Sequence, residues 1–278
     1  MTDLPTWEVR LLVEGSIKVD STINLEVLKG FQGDRPFYSK IILKNAASGI
    51  EAFLTAFAST SDLAHKAALI FFGQMLDALA LEIKQPLFLS FSELEVGRRA
   101  TYAVRRVVEK REWKTSFYTA NQLSEQEPTF LRALGWYRKG LYSEDPFDRF
   151  LAFWNSIEVT ATKYHPKTEK TSSGSINQIW ACFESLWGNC NSWPDLIRGE
   201  TDWIDKNYKT RKDIAHGITR VNIHDVESVI ERLKIIEEIS QTFLSGWLYK
   251  KIQLSDHLES LVDYILENPL SSDLKPST

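Results

Sequence analysis

The sequence predicts an α+β fold, in which an N-terminal mixed α/β unit precedes a C-terminal all-α helical bundle. Segments of alternating and β-branched residues, separated by glycines, are concentrated before residue 120. Beyond about residue 121, apolar residues recur at helical spacing. A chain of 278 residues is also longer than most single domains. We therefore expect an α+β domain at residues 1–120, a helical domain at 121–268 and a flexible tail at 269–278.

The N-terminal domain is expected to contain a small sheet and one long helix. Its alternation predicts strands at residues 9–14, 16–19, 38–43, 87–91 and 101–104. Residues 59–62 supply N-cap side chains for a helix that continues to Ile83 and is stopped by Pro86. The basic stretch at 98–114 is interpreted as an edge strand or a loop. These elements leave the role of the domain open.

The first helix of the second domain has the clearest start. Asp145 is an N-cap residue, and Pro146 occupies the first helical position, where its fixed φ suits the helix. The apolar stripe that follows places the carboxylate of Glu158 among large hydrophobic side chains. The stripe consists of Phe147, Phe150, Leu151, Trp154, Ile157 and Glu158. After it, a flexible loop is expected at 167–175, and helices are expected at 176–187, 201–216, 225–252 and 256–266.

Net charge and cysteine content exclude several classes of protein. With a formal net charge of -4 and a pI near 5.8, the surface as a whole is not a phosphate-binding sheath, so contact with nucleic acid requires a local basic cluster. Cys182 and Cys190 are too few for a disulfide framework or a four-ligand zinc site. The N-terminus lacks a signal-peptide pattern, and charged residues interrupt the longest apolar stretch, at 64–83. We expect a cytoplasmic protein with no membrane span, metal or cofactor.

Scattered histidines and tryptophans are interpreted as structural. Four histidines lack ligand spacing to one another, which disfavours a metal site, and these are His65, His165, His224 and His257. Six tryptophans offer possible base-stacking surfaces, but most lie at helix-core spacing, which favours core or interface positions. These are Trp136, Trp180, Trp187, Trp193, Trp203 and Trp247.

A local basic segment interrupts this acidic chain at residues 205–220. It contains five basic side chains against two acidic ones. Because Lys and Arg neutralise the phosphate backbone, three of these basic residues are candidate RNA contacts. They are Lys206, Lys209 and Arg220.

Arg211 and His216 form a candidate catalytic pair in this segment. Gly217 is placed to follow a helix C-cap, so His216 falls in the last turn, where partial negative charge favours a cation. Asp213, three residues before His216, can hold one ring nitrogen. Arg211 is five residues away and rotated by about 140° around the axis, so the two side chains need a bend, a helix end or a second subunit to converge. Such a pair suits metal-free cleavage of RNA, with His216 transferring a proton and Arg211 stabilising charge on phosphorus.

Structural interpretations compete with these functional ones, because the spacing alone is common by chance. In the structural interpretation, Lys209, Arg211 and Lys212 form a solvated face, and His216 only ends a helix. Glu158 has two interpretations as well. It either reaches solvent at the edge of the apolar stripe, or it pairs with Arg211 or His216 and orients that side chain.

Two segments together resemble the HEPN superfamily, the higher eukaryotes and prokaryotes nucleotide-binding domain. Residues 211–217, RKDIAHG, resemble its R-x4-H motif, and residues 150–158, FLAFWNSIE, resemble the first-helix signature of its Apea-like branch. The resemblance covers about residues 131–248. It implies a bundle of four or five helices that dimerises and brings two Arg-His pairs into one composite cleft.

Carried over residue by residue, the resemblance makes Arg211 and His216 the catalytic residues, with Glu158 in support. The position after the arginine, usually Asn, Asp or His in active members, is Lys212 here. Lys212 could still hold a phosphate, and Asp213 could supply the missing acceptor.

The resemblance implies a homodimeric, metal-independent endoribonuclease that acts on RNA as a toxin-like effector in antiviral defence or stress. The N-terminal domain would then sense a signal or restrain the enzyme, and an inhibitory or sensing partner could act on it. A second hypothesis is a catalytically inactive HEPN module that binds RNA, a nucleotide or a protein partner. A third is a structural dimer whose N-terminal domain holds the function.

Overall fold

A computed structural model describes residues 4–26, 37–90, 106–143, 145–216 and 223–252, and it shows the predicted α+β architecture. The strands are β1 (Thr6–Glu14), β2 (Ile17–Lys18), β3 (Ile23–Glu26), β4 (Phe37–Ala46), β5 (Gly49–Phe57), β6 (Phe88–Ser90) and β7 (Arg106–Val107). The helices are α1 (Ser61–Ile83), α2 (Lys110–Gln126), α3 (Pro128–Tyr142), α4 (Pro146–Tyr164), α5 (Ser175–Trp187), α6 (Trp203–Ala215) and α7 (Ile223–Trp247). A π-helical turn (Leu248–Ile252) continues α7.

Five strands form an antiparallel sheet in the order β3-β4-β5-β1-β6, and β2 and β7 form a separate parallel pair. On one face of the sheet, Leu11 and Val13 of β1 are buried opposite Ala52 and Ile50 of β5. The sequence pattern did not predict β3 or β5. β3 has four residues, and the buried face of β5 includes Ala52 and Ala56, whose small side chains give little strand signal.

Helix α1 begins and ends as predicted. The hydroxyl oxygen of Thr60 accepts a hydrogen bond from the backbone N–H of Leu63 at 3.2 Å. The helix ends at Ile83, and Lys84 then takes a left-handed conformation with φ of 53°. Because proline disfavours helical backbone in the residue before it, Pro86 prevents the helix from continuing.

The structure corrects the interpretation of the basic stretch at 98–114. Within its described residues, the strand is limited to β7, and the helix α2 begins at Lys110. The Glu112 carboxylate accepts a hydrogen bond from the backbone N–H of Glu109 at 2.8 Å and stabilises the first turn. Trp113 and Phe117 are buried one turn apart on the inner face. The helix continues across residues 120 and 121, where we expected the domain boundary.

A polar contact joins α3 to α1. Arg138 forms a largely buried ion pair with Asp77 and also donates a hydrogen bond to the Leu87 carbonyl at 3.2 Å. Gly135 allows α3 to approach closely, since a Cβ there would lie 3.1 Å from Oδ2 of Asp77. The helical region is therefore connected to α1 by a specific ion pair in addition to hydrophobic packing.

Helix α4 contacts α3, α5, α6 and α7 in the C-terminal bundle. Its N-cap is the predicted Asp145, whose Oδ1 accepts hydrogen bonds from the backbone N–H groups of Phe147 and Asp148, both at 2.9 Å. Gly140 of α3 packs directly on the Phe153 ring, because a Cβ at Gly140 would lie 2.6 Å from its Cε1 atom. This close approach brings the first two helices of the bundle together.

The connection after α4 is more structured than the flexible loop expected at 167–175. It contains a 3-10 helix (Lys170–Ser173), in which Thr171 is buried. The Thr171 hydroxyl lies 3.0 Å from the Pro166 carbonyl and accepts a bond from the Thr168 N–H at 2.9 Å. Gln178 of α5 donates to the Thr171 carbonyl at 3.1 Å. These hydrogen bonds hold the connection against α5.

Several expected features lie outside the described residues: the strand at 101–104, the helix at 256–266, the tail at 269–278, and the residues Gly217 and Arg220. In the described part of the chain, no helix combines the length and apolar character needed to cross a membrane. The same ranges contain no group of three or more His, Cys, Asp or Glu side chains arranged to hold a metal ion.

Candidate active site

Helix α6 carries the candidate catalytic segment. Its inner face is anchored by Trp203, Ile204 and Asn207, which are buried. The Asn207 amide donates a hydrogen bond to the Trp203 carbonyl at 2.7 Å. Arg211 follows Asn207 by one turn, so it lies on the side of the helix that faces the bundle.

Arg211 forms an ion pair with Glu158 of α4. The Nε atom of Arg211 lies 3.2 Å from Oε2 of Glu158, and the two side chains are only 29% and 16% exposed. Neither of these two atoms completes a hydrogen bond within the described residues, so the contact is one of opposite charges at close range. Of the two interpretations of Glu158, the structure shows the pairing with Arg211. A carboxylate on an apolar stripe thus has a cationic partner that offsets its desolvation.

Two aromatic side chains lie within one helical turn of this pair along α4 and α6, and sequence reasoning singled out neither as functional. Trp154 precedes Glu158 by one turn of α4, and its ring centroid lies 6.5 Å from that of Tyr208. The Tyr208 hydroxyl lies 3.4 Å from the Ser175 hydroxyl at the start of α5. In the sequence, Tyr208 could have been recognised by its position three residues before Arg211, because side chains at that spacing lie on the same side of a helix.

His216 ends α6 and does not meet Arg211. It is the C-cap residue, its backbone N–H donates to the Lys212 carbonyl at 3.0 Å, and its side chain is exposed. Within the described ranges, no hydrogen bond or ion pair joins its imidazole to Asp213 or Arg211. The contact expected between Asp213 and His216 is therefore not formed. The separation of Arg211 and His216 agrees with their predicted rotation around the helix.

The lysines of α6 lie on its exposed side. Lys206 forms an ion pair with Asp202 at 2.7 Å, one turn earlier. Lys209 is exposed, and the Nζ atom of Lys212 lies 6.0 Å from the centroid of the Tyr208 ring. Lys209 and Lys212 thus add positive charge on the solvent side of the helix that carries Arg211.

Comparisons with known proteins give no relatives: no protein-family model, no curated protein and no solved structure matches this chain.

Proposed function

We propose that this protein is a metal-independent endoribonuclease of the HEPN type and that it acts as a homodimer formed through its helical domain. The observation that carries the proposal is the ion pair between Arg211 and Glu158. It holds a guanidinium group in one place, on the same helix as an exposed histidine and exposed lysines. A fixed guanidinium with planar donors suits binding of a phosphate.

In the proposed reaction, the 2′-hydroxyl oxygen of one nucleotide attacks the neighbouring phosphorus, and the bond from phosphorus to the 5′-oxygen breaks. His216 accepts the proton of the 2′-hydroxyl or donates one to the departing 5′-oxygen, and water supplies or takes up the other proton. The products are a 2′,3′-cyclic phosphate end and a 5′-hydroxyl end. Arg211 stabilises the negative charge that builds up on the phosphoryl oxygens. Lys209 and Lys212 attract the RNA backbone, and Lys206 and Arg220 extend this contact.

A second copy of the chain is part of the proposal because Arg211 and His216 of one chain point in different directions. A two-fold axis brings identical surfaces of two chains together. Such an axis beside the end of α6 would bring Arg211 of one chain towards His216 of the other. Glu158 holds Arg211 in place for this arrangement, and Asp213 becomes available to the partner's imidazole.

The second candidate function is a catalytically inactive HEPN module that binds RNA, a nucleotide or a protein partner. One observation favours it: Lys212 occupies the position where active members usually carry Asn, Asp or His. A lysine there adds affinity for phosphate but does not accept hydrogen bonds. In this case, the basic face of α6 would bind RNA without cutting it.

By analogy with the family alone, we assign the proposed nuclease to a toxin-like role in antiviral defence or stress, in the cytoplasm. Its N-terminal sheet and α1 would sense a signal or bind an inhibitory partner.

The deciding experiment incubates purified protein with total RNA in EDTA and analyses the RNA ends and the oligomeric state. The variant is His216→Ala, and the matched control is His165→Ala, which removes a partly exposed histidine from the end of α4. The nuclease proposal expects 2′,3′-cyclic phosphate ends with wild type and with His165→Ala, and intact RNA with His216→Ala. Intact RNA with a folded wild-type dimer, together with measurable RNA binding, would support the inactive module instead.

A further inference from the structure

One tryptophan differs from all the others in its surroundings. Eight of the nine tryptophans are buried in the hydrophobic core or pack against it, whereas Trp136 on α3 does neither. All nine lie in described residues. Trp136 is half-buried and lines a cleft of about 430 Å³. Of the core and interface positions expected for the tryptophans, Trp136 therefore does not occupy a core position.

The cleft lies between α1, α3 and the end of α2, and its α3 wall is a single stripe of residues. Arg132, Gly135, Trp136 and Lys139 line it at helical spacings of three and four residues. Gly135 has no side chain to fill the space between the neighbouring turns. From α1, Asp77 closes the opposite wall.

The charges of the cleft select an anionic ligand. Arg132 and Lys139 are exposed, and neither has an ion-pair partner among the described residues. The carboxylate of Asp77 is already neutralised by Arg138, so the cleft keeps a net positive charge. Lys139 places its Nζ atom 5.1 Å from the centroid of the Trp136 ring. This exposed cation–π contact is weak, and the flexible lysine is free to leave the ring and follow an anion.

We propose that this cleft binds one nucleotide unit, with its base against the Trp136 ring and its phosphate between Arg132 and Lys139. An aromatic face with two adjacent cations matches the stacking surface and the charge of a nucleotide. The volume lies within the range of small-molecule sites, roughly 300 to 1,000 Å³. Asp77 offers an acceptor for an amino group on the base. The cleft uses residues outside α4 and α6, so this site is separate from Arg211 and His216.

The test is isothermal titration calorimetry of the full chain with the four ribonucleoside 5′-monophosphates and the matching nucleosides. Wild type is compared with Trp136→Leu and Lys139→Gln, and the matched control is Lys66→Gln, an exposed lysine on α1. We expect both cleft variants to weaken monophosphate binding by roughly tenfold or more and the control to bind as wild type does. Nucleosides should bind more weakly than monophosphates, because they lack the charge that the two cations bind.

A second arm distinguishes a free nucleotide from a nucleotide within RNA. It titrates a short single-stranded RNA into the His216→Ala protein, in which the proposed cleavage is blocked, with and without Trp136→Leu. If the protein binds RNA but not monophosphates, and Trp136→Leu weakens the binding of RNA, the cleft is assigned to an RNA strand. Ligand binding that the cleft variants leave unchanged, or no binding of either ligand, would overturn the proposal. Because binding is measured without turnover, these outcomes are independent of whether the protein is a nuclease.

Discussion

The ion pair between Glu158 and Arg211 permits a quantitative prediction. Two unit charges 3.2 Å apart attract each other by about 5 kcal/mol at an effective dielectric of 20. Desolvation of both groups cancels most of this attraction, and the remaining exposure of each side chain allows further screening by solvent. We expect a net coupling of about 1.5 kcal/mol between the two side chains in the free energy of unfolding.

The assay is a double-mutant cycle of Glu158→Gln, Arg211→Gln and the double variant, with urea unfolding of each protein. Each single variant should destabilise the fold because it leaves a partly buried charge without its partner, and the double variant should lose less than the sum of the two. A coupling below about 0.3 kcal/mol, which is within the error of additive mutations, would refute this reasoning. In that case Glu158 would not hold Arg211 in place, and its proposed supporting role would be lost.

Three further predictions concern stability and reactivity. Gly140→Ala should destabilise the fold by about 2 kcal/mol, because the added Cβ would lie 2.6 Å from the Phe153 ring. Urea unfolding measures this loss, and an unchanged unfolding midpoint would contradict the close packing of α3 on α4. Burial and a hydrogen bond to Glu127 at 2.6 Å raise the pKa of Tyr164 above 10.0, so the stability that Tyr164 contributes is complete below pH 10 and decreases as the pH rises further. The difference in unfolding free energy between wild type and Tyr164→Phe should therefore decrease above pH 10, and a constant difference would contradict the shift. Burial raises the pKa of the Cys182 thiol to about 12. Iodoacetamide at pH 8 should therefore leave this thiol unmodified in the folded protein. Rapid alkylation of Cys182, detected by mass spectrometry, would contradict its burial.

Local signals predicted the elements that have distinct ends. Asp145 and Pro146 define the start of α4 through a cap and a fixed φ, which depend on neighbouring residues alone. In α2, the basic side chains of Lys110 and Lys114 obscured the helical signal. Its buried positions, Trp113 and Phe117, are four residues apart and pack towards α1. This helical spacing is present in the sequence, and the interpretation as a strand or loop overlooked it.

The candidate site was predictable in its parts but not in its contacts. The stripe on α4 placed Glu158 on an inner face, and the spacing on α6 singled out Arg211 and His216. Which of the two Glu158 would contact depended on how α4 and α6 cross, and no local pattern encodes that crossing. The fold selects Arg211, and within the described residues no hydrogen bond or ion pair joins Asp213 to the imidazole of His216.

The geometry of α6 makes subunit complementation the sharpest test of the proposed dimer. If Arg211 of one chain acts with His216 of the other, Arg211→Gln and His216→Ala proteins are each inactive, but a heterodimer of the two contains one complete pair. If the two proteins are mixed in equal amounts, unfolded and refolded, about half of the dimers are heterodimers. Each heterodimer has one complete Arg211–His216 pair out of two, so about a quarter of wild-type cleavage should return. If Arg211 and His216 of the same chain act together, every pair in the heterodimer lacks one member, and no cleavage should return. A mixture that stays inactive while wild type cleaves would therefore reject the shared site and leave the single-chain nuclease, whereas a recovery near a quarter would require that the two subunits exchange catalytic residues.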